Sequence, residues 1–384
     1  MASLGPLIVD RLAVTLLSAP IHQPIHMSFS RLTSRKLCLV EVEANGIIGV
    51  GETWINYPSW AEKERFATMI DGVGPLLLGL DVSSPESVQD KLSHALLPVG
   101  RQWGAPGPIW QALSGVDIAL WDLLGKATST PSAHLLAESE PVHRVVPAYA
   151  SGVGPDNITT LCDTALAAGY RAIKVKIGFG QERDVAIIEE ARSAIGYDIK
   201  LFADANQAYG LDDATSLCSA LEKFDIGWLE EPIAGDQVHQ LQTLHERTRM
   251  PIATGENVYG VEAFDSYLRS GGIQTIQPDL TKSGGLTLAH QVALNAASAT
   301  CNVAPHCYGS AVGIAASLQV AAANANVAWM EMDIRSNPLR EELIDHSFDL
   351  TEGSLSIPSG PGLGVTLRAD TLDQLTIHQE ELRK

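Results

Sequence analysis

Leu201-Phe202-Ala203-Asp204-Ala205-Asn206, Gly227-Trp228-Leu229-Glu230-Glu231-Pro232 and Pro251-Ile252-Ala253-Thr254-Gly255-Glu256-Asn257 decide how this chain is read. Each is a short apolar run that closes on a carboxylate, and helix-like stretches lie between them. Asp204, Glu230 and Glu256 follow one another at a spacing of 26 residues. That is the length of one βα unit in a parallel barrel, because a parallel crossover needs about a dozen residues or more beyond its strand. Three carboxylates on consecutive strand ends then converge at one mouth.

Ala172-Ile173-Lys174-Val175-Lys176-Ile177-Gly178 precedes these runs and places Lys174 and Lys176 on one face, since strand side chains alternate. Thr275-Ile276-Gln277-Pro278-Asp279, Asn302-Val303-Ala304-Pro305-His306 and Trp329-Met330-Glu331 follow, again closing on polar residues. From Val145 onward strands and helices alternate strictly. Strands are expected at 145–149, 172–177, 200–204, 226–230, 252–254, 274–277, 301–304 and 328–331. Helices are expected at 158–168, 182–194, 212–223, 236–247, 261–270, 286–298 and 311–325. Eight strands, seven helices and reactive residues at the strand C-termini predict an α/β chain with a modified TIM-type (β/α)7β barrel.

Upstream, strands are expected over 7–17, 37–43 and 47–51, the last two joined by Asn45-Gly46, a strong hairpin signal. Residues 18–34 read as a loop carrying His22, His26 and Arg31, and 52–60 as a loop carrying Trp54, Tyr57 and Trp60. Such loops commonly line ligand pockets. Helical patterns cover 60–77, 85–97 and 109–124. The expected organisation is an α+β capping domain over 1–140, the barrel over 141–335, and a turn-rich segment over 336–384 that packs back on the cap.

The chain has 384 residues, and its 45% hydrophobic and 18% charged content is that of an ordinary globular enzyme. A formal net charge of -19 argues against nucleic acid or an anionic membrane as partner. The five cysteines show no paired spacing and read as reduced. With no secretory pattern at the N-terminus and no spanning run, a cytoplasmic protein is expected.

Three clustered carboxylates call for a counter-charge, and an oxygen-only donor set favours Mg²⁺ over softer metals. The bland alternative is that each acid caps the helix after it. Lys174 and Lys176, side by side near a cation, are expected to depress each other's pKa and supply a neutral amine. Asp279 beside His306 orients the imidazole and raises its basicity. Glu331, if protonated, can donate to an oxyanion, which requires a raised pKa. Asn206, Asn257 and Lys282 are candidate substrate contacts. A chelated carboxylate with a base on either side of the next carbon fits α-proton abstraction through an ene-diolate. That intermediate can be reprotonated, or it can expel a β-leaving group.

These residues resemble the enolase superfamily and, within it, the mandelate racemase subgroup, over nearly the whole chain. Gln277-Pro278-Asp279-x-x-Lys282 and Thr254-Gly255-Glu256-Asn257 fit this subgroup better than the muconate-lactonizing one. The resemblance implies Mg²⁺ ligands at Asp204, Glu230 and Glu256, and a base at Lys176 assisted by Lys174. It also implies a His306–Asp279 dyad, Glu331 as oxyanion donor, and specificity loops at 18–34 and 52–60. Acid-sugar dehydratases predominate in the subgroup. Ile177-Gly178-Phe179-Gly180, Glu331-Met332-Asp333 and Asn337-Pro338-Leu339-Arg340 also look similar to galactarolactone cycloisomerases. The expectation is therefore dehydration of an acid sugar, with epimerisation or lactone cycloisomerisation as alternatives and an inert ligand-binding relative as the opposing class. The partners expected are a small carboxylate substrate (an acid sugar or its lactone) and further copies of the same chain.

Overall fold

The computed structural model describes residues 5–26, 31–138 and 142–384, with the side chains of 22, 23 and 26 left aside. A four-stranded antiparallel sheet opens the chain. It contains β1 (Val9–His26), β2 (Arg31–Ala44) and β3 (Ile47–Thr53). Asn45 and Gly46 turn between the last two with φ of 54° and 74°, the left-handed pair that an Asn-Gly hairpin requires. Residues 18–26 and 31–34, expected in a loop, instead extend the β1–β2 hairpin. Pro20 and Pro24 argue against a strand, but the register shifts between Pro20 and Ile25. The irregularity places the missing N–H groups where the ladder is already broken.

Helices follow: α1 (Ala61–Ala67), a π-helical turn (Thr68–Val73), α2 (Gly74–Leu77), α3 (Pro85–Trp103), α4 (Pro106–Thr128) and α5 (Ser132–Leu136). Helix α4 lies so close to β3 that a Cβ on Gly49 or Gly51 would stand 2.0 Å from a helix carbonyl oxygen. Only glycine permits that approach.

The barrel strands are β4 (Val145–Val153), β5 (Ala172–Lys176), β6 (Lys200–Asp204), β7 (Ile226–Glu230), β8 (Ile252–Thr254), β9 (Thr275–Ile276), β10 (Asn302–Val303) and β11 (Met330–Asp333). Between them run α6 (Ile158–Ala167), α7 (Gln181–Ile195), α8 (Leu211–Leu221), α9 (Val238–Thr248), α10 (Val261–Ser270), α11 (Gly285–Ser298) and α12 (Ala311–Ala323). Neighbours from β4 to β10 pair in parallel. β11 pairs with β4, and Val327 bridges Val303, which closes the ring as a (β/α)7β barrel. Inside it, Phe202 and Trp228 stack with centroids 3.5 Å apart, and the Tyr149 ring stands edge-on to both. These rings form an apolar floor beneath the strand ends.

After the barrel come α13 (Pro338–Glu341), the short hairpin β12 (Leu350–Thr351) and β13 (Ser354–Ser356), α14 (Ala369–Leu375) and β14 (Thr376–Arg383). β13 pairs with β4, and β14 returns to pair with β1. Three buried carboxylates pin these layers together. Glu52 accepts from the Ser310 and Gly313 N–H groups at the start of α12. Asp117 on α4 accepts from the N–H and hydroxyl of Thr287, and Asp122 from the N–H groups of Val50 and Leu363. Glu52 and Asp117 meet donors at helix starts, where a carboxylate is favoured, and Asp122 joins strand β3 to the loop at Leu363.

Candidate active site

Strand register builds the site. Lys176 on β5 pairs with Asp204 on β6, and Asp204 with Glu230 on β7. Glu230 pairs with Ala253 on β8, so Thr254 and Gly255 carry the chain on to Glu256. Gly255 has φ of 140°, and a Cβ there would lie 2.7 Å from the Gln277 nitrogen. The turn that delivers Glu256 therefore requires glycine. Asp279 and His306 form a parallel bridge beyond β9 and β10, and Glu331 sits on β11 beside Tyr149. The turns after β6 and β7 hold Asn206, Gln207 and Glu231 at φ of 44°, 64° and 38°. Left-handed backbone at non-glycine residues costs about 1–3 kcal/mol each and clusters at functional sites.

Lys174 is buried, with Nζ 2.7 Å from Glu230 Oε1 and 3.0 Å from Glu331 Oε1. Lys176 Nζ is 2.5 Å from Asp204 Oδ2 and 3.0 Å from Asn206 Oδ1. His306 joins two acids, with Nδ1 2.6 Å from Asp279 Oδ2 and Nε2 3.0 Å from Glu256 Oε2. Asp279 is itself held by the Thr281 N–H and hydroxyl, each at 2.7 Å. Glu230 Oε2 accepts from Gln277 at 2.7 Å and from Trp228 Nε1 at 3.2 Å.

One electrostatic expectation changes, at Glu331. Burial alone would lower the pKa of Lys174, but Glu230 and Glu331 outweigh it and raise it well above the ordinary value. Lys176 is likewise raised, by Asp204 against burial. These acids favour the ammonium form of both lysines, whereas the neutral amine expected above is that of a site holding a cation. Glu331 is not raised: Lys174, His306 and Lys176 overcome burial and hold it down at about 2. Burial pushes Glu230 up to about 7, with Asp204 and Glu331 adding to it against Lys174.

Among the described residues no three of His, Cys, Asp or Glu stand together as a metal-holding group. Lys174, Lys176 and His306 bind the oxygens that such a group would use. The donor chemistry nonetheless fits a hard divalent cation. Asp204, Glu230, Glu231, Glu256, Asp279 and Glu331 are all buried, against Lys174, Lys176, Lys282 and His306. Burial and the neighbouring acids push Glu230 up to about 7 and Glu231 to about 8, the crowding of carboxylates that a divalent cation relieves.

These groups open onto a cavity of about 460 Å³, lined in part by Trp54, Tyr57, Lys176, Asn206, Glu256, Asn257, Lys282, His306 and Glu331. Lys282 Nζ lies 4.3 Å from the Trp54 ring centre and 3.4 Å from Asn257 Oδ1. Asn257 in turn donates to Glu231 and Glu256, at 3.1 Å each. Arg31 is exposed on β2 and does not line the cavity, and the side chains of His22 and His26 lie outside the described residues. The turn end of their hairpin does reach the mouth, where the paired Ile25 and Leu32 pack with Trp54 and Tyr308.

Gln111, Ser151, Gly152, Gln207, Glu231, Tyr259 and Tyr308 also line the cavity, and sequence reasoning did not select them. Glu231, Gln207, Tyr259 and Tyr308 lie within two residues of a selected one, a usable signal. Gln111 sits on cap helix α4, and nothing local distinguishes it.

Residues 11–137 match the family model described as "Mandelate racemase / muconate lactonizing enzyme, N-terminal domain". Residues 157–371 match "Enolase C-terminal domain-like". D-galactarolactone cycloisomerase of Agrobacterium fabrum is 32% identical over 94% of this chain and 96% of its own length. Arabinonate dehydratase of Saccharolobus solfataricus is 31% identical over 88% of this chain and 90% of its own. A racemase from Streptomyces coelicolor A3(2), solved with bound magnesium, superposes with a TM-score of 0.86 at 27% identity, over 96% of this chain and 100% of that one.

Proposed function

Because the chain belongs to the mandelate racemase/muconate lactonizing enzyme family of the enolase superfamily, we propose that it is a Mg²⁺-dependent enzyme of acid-sugar metabolism. It removes the α-proton of a sugar carboxylate and expels the β-oxygen. The observation that carries this reading is the pair of proton-transfer groups on one cavity, Lys176 backed by Lys174 and His306 backed by Asp279. A polar lining that includes Asn206, Gln207 and Ser151 suits a polyhydroxylated acid.

Asp204, Glu230 and Glu256 would hold the metal. A cation there would supply positive charge for the substrate carboxylate and for the ene-diolate. With Asp204 engaged by it, Lys176 would lose the charge that raises its pKa, which favours the neutral amine needed as a base. Lys176 takes the α-proton, and the C–H electrons enter the ene-diolate. As that collapses, the β-carbon–oxygen bond breaks and the leaving oxygen receives a proton from His306, which Asp279 holds in place. A leaving hydroxyl makes the reaction a dehydration, and a leaving ring oxygen opens a lactone. Lys174 stays charged, holding Glu230 and Glu331 in position.

The test is α-proton exchange with D₂O, with Mg²⁺ present, across mono- and diacid sugars and their lactones. Exchange and turnover with at least one of them support the reading. Exchange with none, at metal saturation, sinks it.

A further inference from the structure

Arg65 on α1 is fully buried. Its Nη1 donates to the Pro108 carbonyl at 2.8 Å and its Nη2 to Gln111 Oε1 at 2.5 Å. A guanidinium has no acceptor, so it determines which way the Gln111 amide faces: the oxygen toward Arg65, the nitrogen away. That nitrogen donates to Tyr259 Oη at 3.2 Å. The Tyr259 oxygen is thereby an acceptor, and its own proton has no acceptor among the described residues. Gln111 keeps a second N–H. Both side chains line the cavity, where Lys282 adds an ammonium. Tyr259 also lies against Gly107, within 3.4 Å of where a Cβ would stand, so this wall belongs to the seam between the cap and the loop after β8.

This wall is rich in free donors. Its amide oxygen already accepts from Arg65 and its phenol oxygen from Gln111. A hydroxyl docking there would have to share an engaged oxygen to pair its own proton. A carboxylate has acceptors alone and gains charge-assisted bonds. Resting on the function proposed above, we infer that Gln111 and Tyr259, oriented by Arg65, form the subsite for the second carboxylate of a diacid sugar. Arg65 is a positioning residue, and Gln111 and Tyr259 determine specificity.

The test compares binding of galactarate and galactonate, which differ only in a terminal carboxylate against a hydroxymethyl group, by calorimetry on the Mg²⁺-loaded protein. Wild type binds galactarate at least ~10-fold more tightly, the gain of one good charge-assisted bond. Tyr259→Phe and Arg65→Met bring the two affinities to within about threefold of each other, and Gln111→Glu, which presents a negative oxygen, reverses the preference. A merely structural Arg65 would weaken both acids equally. Equal wild-type affinities, an unchanged ratio in Tyr259→Phe, or no binding of either acid overturns the inference. Binding needs no turnover, so failure of the exchange assay leaves this result separately readable.

Discussion

Nε2 of His306 lies 3.0 Å from Oε2 of Glu256, so a proton-transfer group and a candidate metal ligand share one ion pair. Lys176 stands in the same relation to Asp204 at 2.5 Å. Under the proposed assignment, a cation held by these carboxylates would compete with Lys176 and His306 for them and free both groups to face the substrate. The proposed acid/base groups and the proposed metal would then be alternative partners of the same carboxylates.

Metal binding should therefore raise thermal stability. At a Mg²⁺ concentration about 100-fold above Kd, linkage adds about 2.7 kcal/mol. Melting curves with excess chelator and with Mg²⁺ restored measure it. Glu256→Gln should lose the Mg²⁺-dependent shift and turnover together. Full turnover after exhaustive chelation would remove the metal from the mechanism.

Lys176 and His306 should separate under substitution. His306→Asn abolishes turnover because an amide exchanges no proton in this range, yet it retains α-proton exchange with D₂O on the true substrate. Lys176→Ala loses both. The opposite pattern of exchange makes His306 the base, and turnover like wild type in both variants rejects the pair.

Asp117 predicts a pH dependence of stability. Burial pushes its carboxyl up to about 7, against the hydrogen bonds from Thr287. A carboxyl raised in the folded state contributes stability that is complete below its ordinary pKa and is lost as pH rises through the folded value. The melting temperature of wild type should fall as pH rises from about 4 to about 7, the span between the ordinary and the folded pKa. Asp117→Asn, which cannot ionise, should show a shallower fall over the same interval. Parallel curves would show that Asp117 does not titrate there.

The barrel floor sets a stability prediction apart from the chemistry. Phe202 is buried against Trp228 and Tyr149, so Phe202→Ala should cost about 3–5 kcal/mol through lost burial and the cavity left behind. Denaturant unfolding measures it. A loss below about 1 kcal/mol would mean the floor collapses around the gap.

The sequence by itself determined the barrel, because its signals are local and repeat. Apolar runs closing on Asp204, Glu230 and Glu256 at equal spacing require equal βα units, and register then sets Asp204 beside Glu230. The hairpin at Asn45-Gly46 was legible for the same reason, since two residues carry its whole geometry. The continuation of β1 and β2 through residues 18–26 and 31–34 was not, because its prolines are tolerated only where the ladder is broken. Only the tertiary structure decided which acids surround Lys174 and Lys176, since the Glu230 and Glu331 that hold the first come from strands far along the chain. It alone brought Gln111 to Tyr259, across 148 residues, and turned that amide with a buried arginine. Hydrogen-bond direction depends on which partner lacks an acceptor, and no local pattern in a chain records which partners will meet.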